Sequence, residues 1–304
     1  MDRALKILDQ CRPLLRTLGA QRKGDRQRFS DATIVLIDLW ASLNNQPAKW
    51  ACDARRWPGK LPPGGLPSPS AFSRRVRSPR VATLRAQLQE TLRAADAVPT
   101  DRVAVLIVDG HALQVARHSR DRGAQFGRGA GAMEKGYKLH TLIDNAGRVL
   151  SWRLTPMNAD EGRVCVRLLG GVPEGLNGYI LGDGSYNDNK LFAAARVRGL
   201  QLVSPRRRPG TGLGHRAHDP SRLRCVHLLE PPVPGGGGFG RGLYAERLRI
   251  ERQFGHWAST TELNPDLPSF VRGYRRVRRW VECKMIAVMI DHLLRRKPEA
   301  LMAA

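Results

Sequence analysis

The sequence predicts a mixed α/β fold with an all-helical region at its N-terminal end. An apolar, β-branched run at residues 103–108 is typical of a strand buried on both faces of a sheet. Residues 138–144 and 149–154 flank an Asn-Ala-Gly turn, which predicts an antiparallel hairpin. Leucines near the N-terminus keep the spacing of one helix face: Leu5, Leu8, Leu14, Leu15 and Leu18. We therefore expect a helical domain over residues 1–97 and a sheet domain flanked by helices over residues 98–304.

The charge balance points to a nucleic acid as the partner. The 304 residues include 51 Lys and Arg against 27 Asp and Glu, a formal net charge of +24 at pH 7. An arginine-rich composition can follow a genome's base composition, but that bias alone would not suppress acids. The phosphate backbone of a nucleic acid is the usual partner that neutralises such a field.

Other compositional features narrow the class of protein. No run approaches the ~18 apolar residues that cross a bilayer, so no membrane partner is expected. The first residues lack the apolar core of a signal peptide, and we expect a cytoplasmic, nucleoid-associated protein. The five cysteines are scattered, without a C-x-x-C pair, which predicts reduced, structural thiols.

The helical region contains a candidate DNA-reading helix. Further helices are predicted at 34–43 and 47–54, followed by a Pro- and Gly-rich segment at 57–65. Ser68 and Pro69 then supply a cap and a first-turn proline for a helix over residues 70–77. This helix presents Ser73, Arg74 and Arg77, as the second helix of a helix-turn-helix does. Because the connecting segment is longer than the usual turn, a solvated basic face is the alternative.

Two acids follow buried strands of the predicted sheet. Asp109 stands at the end of the strand 103–108, and Asp183 follows a short strand at 178–181. Open α/β sheets place their sites at the carboxyl ends of strands, although a carboxylate there is also a common helix cap or turn residue. Helices at 161–169 and 189–198 and a strand at 200–203 complete the predicted sheet domain.

The C-terminal part contains a third candidate acid. An irregular insertion, about 205–242, is expected to contain one short strand near 224–229. In the amphipathic helix predicted at 244–257, Tyr244, Arg247 and Glu251 share one face. By spacing alone, a surface salt bridge beside a core tyrosine is the favoured interpretation. A further helix at 271–294 is rich in arginine in its first half.

At these residues the chain resembles the DDE transposases of bacterial insertion sequences, in particular the insertion-sequence-four-like superfamily. The signature Y-x-x-R-x-x-x-E is present at Tyr244, Arg247 and Glu251, whereas Ala258 replaces the lysine that normally ends it. The segments around Asp109 and Asp183, and the Gly-Tyr-Lys-Leu-His segment at 136–140, also look like that family. The resemblance covers about residues 30–295.

The resemblance implies the chemistry of the site and a ribonuclease H-like sheet. Asp109, Asp183 and Glu251 would be the catalytic acids and would hold two Mg²⁺ ions, for which Mn²⁺ can substitute. Water would cleave the DNA at an element's end, and the freed 3′-hydroxyl would attack target DNA. Arg247 with Tyr244 would bind a phosphate. The implied partner is double-stranded DNA, both terminal repeats and target, bound by a homodimer.

Other basic residues are candidate DNA contacts. Lys138 lies on the predicted strand at 138–144, one face of which is expected to look toward DNA. Arg275, Arg276 and Arg279 lie on the last predicted helix, where backbone contacts are favoured over a solvated face in so basic a chain. Two alternative functions stay open at this point: a metal-dependent nuclease that cleaves without joining, and a catalytically inactive DNA-binding protein derived from a transposase.

Overall fold

The computed structural model describes residues 2–19, 27–59, 61–62, 64–129, 131–208, 212–213, 217–230 and 238–296. Its helices are α1 (Arg3–Leu18), α2 (Asp31–Leu43), α3 (Ala48–Ala51), α4 (Pro69–Arg75), α5 (Pro79–Ala95), α6 (Glu161–Leu168), α7 (Asn189–Val197), α8 (Pro220–Leu229), α9 (Gly238–Ala245), α10 (Leu248–Ser259) and α11 (Tyr274–Arg296). Its strands are β1 (Ala104–Gln114), β2 (Gln125–Arg128), β3 (Met133–Asp144), β4 (Val149–Pro156), β5 (Gly178–Leu181) and β6 (Leu200–Val203). The fold is therefore mixed α/β, as predicted.

The chain divides into two compact units. The helical unit contains Met1–Ala97 and Trp257–Ala304, and the sheet unit contains Val98–His256. The predicted domain 98–304 thus loses its C-terminal helix to the helical unit. The reason is the composition of α11, in which every residue from Cys283 to Leu293 is buried. Helix α11 packs against α1, α2 and α5.

The helical unit is built around α2. Ser30 caps this helix by accepting a hydrogen bond from the Thr33 amide at 3.0 Å. All residues from Thr33 to Leu43 are buried, because neighbouring helices cover every side of α2. Such all-round burial suits an almost entirely apolar sequence. None of the described helices is long and apolar enough to cross a membrane.

The sheet unit contains one mixed sheet. In the described residues its six strands run in the order β2-β3-β1-β5-β6, with β4 also paired to β3. Strands β1, β5 and β6 are parallel, whereas β1, β2 and β4 each pair with β3 in the antiparallel sense. The predicted hairpin is confirmed as β3 and β4. Helix α6 packs on this hairpin, and α7 and α8 pack on β6.

Three predicted elements differ in the structure. The strand expected near 224–229 is part of helix α8, whose start signals are the cap Asp219 and the first-turn Pro220. The helix expected at 244–257 is two helices, α9 and α10. Between them, the amides of Glu246 and Arg247 bond three residues back along the chain, which makes a tight turn. The insertion 205–242 is therefore partly helical where it is described.

Candidate active site

The pairing of β1 with β5 brings two acids to one edge of the sheet. Ile107 and Leu181 form the last pair of this parallel ladder. Asp109 and Asp183 each follow two residues later, so the shared register places them next to each other. Contrary to the prediction, Asp109 does not end its strand, because β1 continues to Gln114 in its antiparallel pairing with β3. It is the parallel part of β1 that ends before Asp109. We call Asp109 and Asp183 the acid pair.

The surroundings of Asp109 disfavour its charge. Burial raises its pKa from the ordinary value of 3.8 to about 6. The carboxylates of Asp183 and Glu161 add to this rise, whereas the Gly110 amide and Arg247 oppose it. The amide of Gly110 donates a 2.8 Å hydrogen bond to the Asp109 Oδ1 atom. A carboxyl group with so raised a pKa beside other acids is typical of functional sites.

Asp183 is fixed by the turn that follows it. Its Oδ1 atom accepts hydrogen bonds from the amide of Ser185 at 2.8 Å and from the Ser185 hydroxyl at 2.5 Å. Its backbone carbonyl accepts a 2.6 Å hydrogen bond from the hydroxyl of Ser204, which directly follows β6. The backbone and one carboxylate oxygen of Asp183 are thus both held.

Arg247 connects Asp109 with Glu251. Its Nη2 atom donates to the Glu251 Oε1 atom at 2.6 Å, and its Nη1 atom lies 3.8 Å from the Asp109 Oδ2 atom. Tyr244 lies beside it, with the Arg247 Cζ atom 6.0 Å from the ring centroid. The structure therefore brings Arg247 to the acid pair, with Tyr244 beside it. Glu251 remains half exposed and contacts the site through Arg247.

The third acid is not gathered with the acid pair into a ready cluster. Across the described residues, no group of three His, Cys, Asp or Glu side chains is arranged to hold a metal ion. The residues present nevertheless fit Mg²⁺ chemically, because this ion prefers carboxylate oxygens and the acid pair supplies them. The two carboxylates repel each other when both are ionised. A divalent cation would relieve that repulsion.

A fourth acid, Glu161, lies beside the acid pair and was not predicted. Burial alone would raise the pKa of Glu161, but hydrogen bonds from Lys138 and Ser185 lower it below its usual value. The Lys138 Nζ atom lies 2.5 Å from Glu161 Oε1, and the Ser185 hydroxyl donates to Oε2. Glu161 opens α6 directly after the cap residue Asp160. In sequence it is indistinguishable from an ordinary acid of a first helical turn.

The predicted DNA contact Lys138 is buried. Only 8% of its surface is exposed, and its ammonium group pairs with Glu161. His140, on the same face of β3, is fully buried, and its Nε2 atom lies 2.9 Å from the hydroxyl of Thr155. This face of β3 therefore packs inside the sheet unit, which disfavours the prediction that it looks toward DNA. The cause is α6, which covers it.

The basic residues predicted on α4 are exposed in the helical unit. Phe72 and Val76 are buried, whereas Ser73, Arg74 and Arg77 face solvent. Arg77 lies just beyond the helix and donates a 2.7 Å hydrogen bond to the carbonyl of Ser73. This arrangement suits both alternatives considered for the segment, a DNA-reading helix and a solvated basic face.

The arginines predicted on α11 divide into two kinds. Arg275 and Arg276 are exposed at its start. Arg279 is half-buried, and its Nε atom lies 3.3 Å from Asp38 in the core of the helical unit. Asp38 also lies 3.6 Å from the buried Arg85. Arg279 therefore has a structural partner, and Arg275 and Arg276 are the better candidates for DNA contacts.

A carboxylate pair at a sheet edge, with an arginine beside it in a strongly basic chain, suits an enzyme that acts on nucleic acids. The family model described as the transposase DDE domain matches residues 103–287, more than half of the chain. The chain belongs to this family. It is accordingly an enzyme of the transposase class that acts on DNA. No match to a curated protein sequence was found.

Proposed function

We propose that the chain is the transposase of an insertion sequence, that it cleaves DNA at the element's ends and joins those ends to target DNA. Its sheet unit would be a ribonuclease H-like core with Asp109, Asp183 and Glu251 as the catalytic acids. The carrying observation is the register of β1 and β5, in which Ile107 pairs with Leu181 and each acid follows two residues later. Such convergence from separate parts of the chain is what a shared reaction centre requires.

The acids would hold two Mg²⁺ ions, with Mn²⁺ as a substitute. When bound, such ions stabilise the charge that develops on the attacking and leaving oxygens of a phosphodiester. Asp109 would contact both ions; Asp183 is an electrostatic neighbour of Asp109, and the Arg247 Nη1 atom lies 3.8 Å from the Asp109 Oδ2 atom. Glu251 would complete the site from α10, the element that the family signature assigns to the third acid.

Arg247 and Tyr244 would bind the DNA strand next to the scissile phosphate. The guanidinium is half-buried between Asp109 and Glu251, which fixes its direction before DNA arrives. A guanidinium donates in a fixed fork and can bind a phosphate while it keeps one carboxylate contact. The Tyr244 ring beside it narrows the directions from which a strand can approach.

The exposed basic residues would carry most of the DNA affinity. Ser73, Arg74 and Arg77 are proposed to contact the terminal repeats, and Arg275 and Arg276 the phosphate backbone. Because two ends of one element must be processed together, the DNA-bound form is proposed to be a homodimer.

The test uses the DNA that flanks the gene. Inverted repeats bracketing the reading frame identify the element's ends, and duplexes carrying them are incubated with the full-length protein, Mg²⁺ and a supercoiled target plasmid. We expect new 3′-hydroxyl ends at the repeat boundary and products joined to the plasmid. A duplex with a scrambled repeat is the matched control.

The outcomes separate the alternatives. Cleavage at the repeat boundary without joined products would replace the transposase with a nuclease. Specific binding to the repeats without any cleavage, in Mg²⁺ and in Mn²⁺, would identify an inactive DNA-binding protein. Products that also form in the presence of EDTA would contradict the role of a divalent cation.

A further inference from the structure

We infer that Glu161, held by Lys138, is a positioning residue that fixes Asp183 through the hydroxyl of Ser185. This inference rests on the proposed function, in which Asp183 is a metal-binding acid. It adds a residue that neither the signature of the family nor the sequence pattern singles out. Four side chains within the sheet unit make these contacts: Lys138, Glu161, Asp183 and Ser185.

The link from Glu161 to Asp183 is a single hydroxyl group. The Ser185 Oγ atom lies within hydrogen-bond distance of Glu161 Oε2 and 2.5 Å from Asp183 Oδ1. A serine hydroxyl carries one proton, so it can donate to only one of the two carboxylates at a time. The amide of Ser185 supplies a second donor to Asp183 Oδ1, at 2.8 Å. The amide can therefore hold Asp183 while the hydroxyl donates to Glu161, so Ser185 ties the orientation of Asp183 to the position of Glu161.

The link leaves one oxygen of Asp183 available. The Ser185 amide donates to Oδ1 and the Ser185 hydroxyl lies 2.5 Å from the same oxygen, whereas no described residue donates a hydrogen bond to Oδ2. A carboxylate fixed through one oxygen presents the other in a defined direction. That is the arrangement by which hydrogen-bonded neighbours orient a metal-binding carboxylate.

Glu161 itself is anchored by Lys138. The Lys138 ammonium group lies 2.5 Å from Glu161 Oε1, and both side chains are largely buried, at 10% and 19% exposure. The aliphatic stem of Lys138 passes over Gly110, where a Cβ atom would lie only 2.8 Å from the Lys138 Cδ atom. The glycine directly after Asp109 thus makes room for the lysine. A buried pair of opposite charges holds its geometry strongly, because breaking it leaves an unpaired charge.

The same contacts argue against Glu161 as a direct metal ligand. Its Oε1 atom faces Lys138 and its Oε2 atom faces Ser185, so each oxygen already has a partner. An ion bound to Glu161 would compete with the Lys138 ammonium group at Oε1 or with the Ser185 hydroxyl at Oε2. Holding Ser185, and through it Asp183, requires no such competition.

The test measures metal affinity apart from catalysis. Full-length wild-type protein, Glu161→Gln, Ser185→Ala and Ser185→Thr are titrated with MnCl₂, and free Mn²⁺ is followed by its electron paramagnetic resonance signal. Cleavage of repeat DNA is measured in parallel against Mg²⁺ concentration. Glu90→Gln is the matched control, because it removes one carboxylate from an exposed ion pair with Arg93 in the helical unit.

We expect Glu161→Gln and Ser185→Ala to weaken Mn²⁺ binding about 10- to 100-fold, and to raise the Mg²⁺ concentration for half-maximal cleavage equally. Cleavage at saturating Mg²⁺ should return toward the wild-type rate. Ser185→Thr, which keeps the hydroxyl, and Glu90→Gln should bind Mn²⁺ like the wild type. Asp183→Asn should recover at no Mg²⁺ concentration.

Wild-type Mn²⁺ affinity in both Glu161→Gln and Ser185→Ala would overturn the inference. So would a Glu161→Gln protein that is inactive at every Mg²⁺ concentration beside a normal Ser185→Ala protein, because that pattern identifies a direct ligand. If the wild type cleaves no DNA but the variants lose Mn²⁺ affinity, the proposed function fails and the positioning of Asp183 stands. If Glu161→Gln does not fold, the Ser185→Ala protein still tests the inference.

Discussion

Arg247 donates a 2.6 Å hydrogen bond to Glu251, four residues further along the chain. By spacing alone this contact could be an ordinary surface ion pair, worth little to stability. Its position changes the interpretation, because the same guanidinium lies 3.8 Å from Asp109 and the Arg247 side chain is half-buried. The pair therefore belongs to the site and connects the acid of β1 with the acid of α10.

Replacing Arg247 with Gln should impair catalysis far more than DNA binding. The substitution removes a charged donor shared by two acids and, in the proposed function, the contact to a phosphate. Loss of about 3 kcal/mol of charged hydrogen bonding corresponds to a roughly 100-fold lower cleavage rate. Single-turnover cleavage and a binding isotherm, measured on the same DNA, check the expectation.

Arg249→Gln is the matched control for that substitution. Arg249 lies two residues away, is half exposed and pairs with Glu246. The Arg249→Gln substitution removes the same charge from the same segment but does not remove a contact to the acid pair. An equal loss of cleavage in both variants would show that net charge, and not the Arg247 contacts, controls the rate.

Asp109→Asn should stabilise the metal-free protein at neutral pH. Because the pKa of Asp109 rises to about 6 in the folded state, its ionised form opposes folding above that pH. Below about pH 3.8 the charge of Asp109 therefore costs the wild type no stability relative to Asp109→Asn. The free energy of unfolding of the wild type falls as the pH rises through about 6. The gain at pH 7.5 should be at most roughly 3 kcal/mol.

Urea unfolding of both proteins at pH 7.5 and pH 4.5, in EDTA, measures this effect. The difference in the free energy of unfolding should be clear at pH 7.5 and much smaller at pH 4.5. A constant difference at both pH values would mean that the charge of Asp109 is not what the substitution relieves.

The sequence was sufficient for much of the sheet unit because its signals are local. The hairpin turn near Asn145 defines β3 and β4, and the short apolar runs around Ile180 and Leu202 define β5 and β6. Equally strong local signals gave the wrong assignment where tertiary packing decides which unit a helix joins. The apolar half of α11 could cover a sheet or a helical bundle, and its packing against α2 and α5 places it in the helical unit.

The candidate site was predictable only where a residue type is tied to a strand end or to the family signature. Asp109 and Asp183 are candidates because of the strands before them, and Glu251 because of the family signature. Glu161 carries no such signal, because its role depends on how α6 packs on β3. For the same reason the burial of Lys138 could not be anticipated from the alternation of its strand.

The affinity for unrelated duplex DNA should fall steeply with salt. The net charge of +24 implies that several phosphates are neutralised on binding, with release of their counterions. For six or more phosphates we expect an affinity loss of about a thousandfold or more between ~50 and ~200 mM salt. Fluorescence anisotropy across this range measures it, and an isotherm independent of salt would contradict electrostatic binding.

Substitutions on α4 should separate the two interpretations of its basic face. Deleting residues 1–97 is unsuitable, because it would expose the buried side of α11. Arg74→Gln combined with Arg77→Gln should abolish discrimination between repeat and random DNA while non-specific binding changes little.

The control for this double variant is Arg16→Gln combined with Arg93→Gln. It removes the same two charges from other helices of the helical unit, α1 and α5. Discrimination should persist in the control. If both double variants still discriminate repeat from random DNA, α4 has only a solvated basic face. Arg275 and Arg276 are then the next candidates for contacts to the repeats.

The most direct test of the proposed acids is cleavage by Asp109→Asn, Asp183→Asn and Glu251→Gln, measured at the repeat boundary in Mg²⁺. Each substitution preserves size and removes one carboxylate charge, so each should abolish cleavage and joining while folding and DNA binding persist. The Glu90→Gln protein should cleave at the wild-type rate. A fully active Glu251→Gln protein would contradict the account, because the acid beside Arg247 would then be no more than half of a salt bridge.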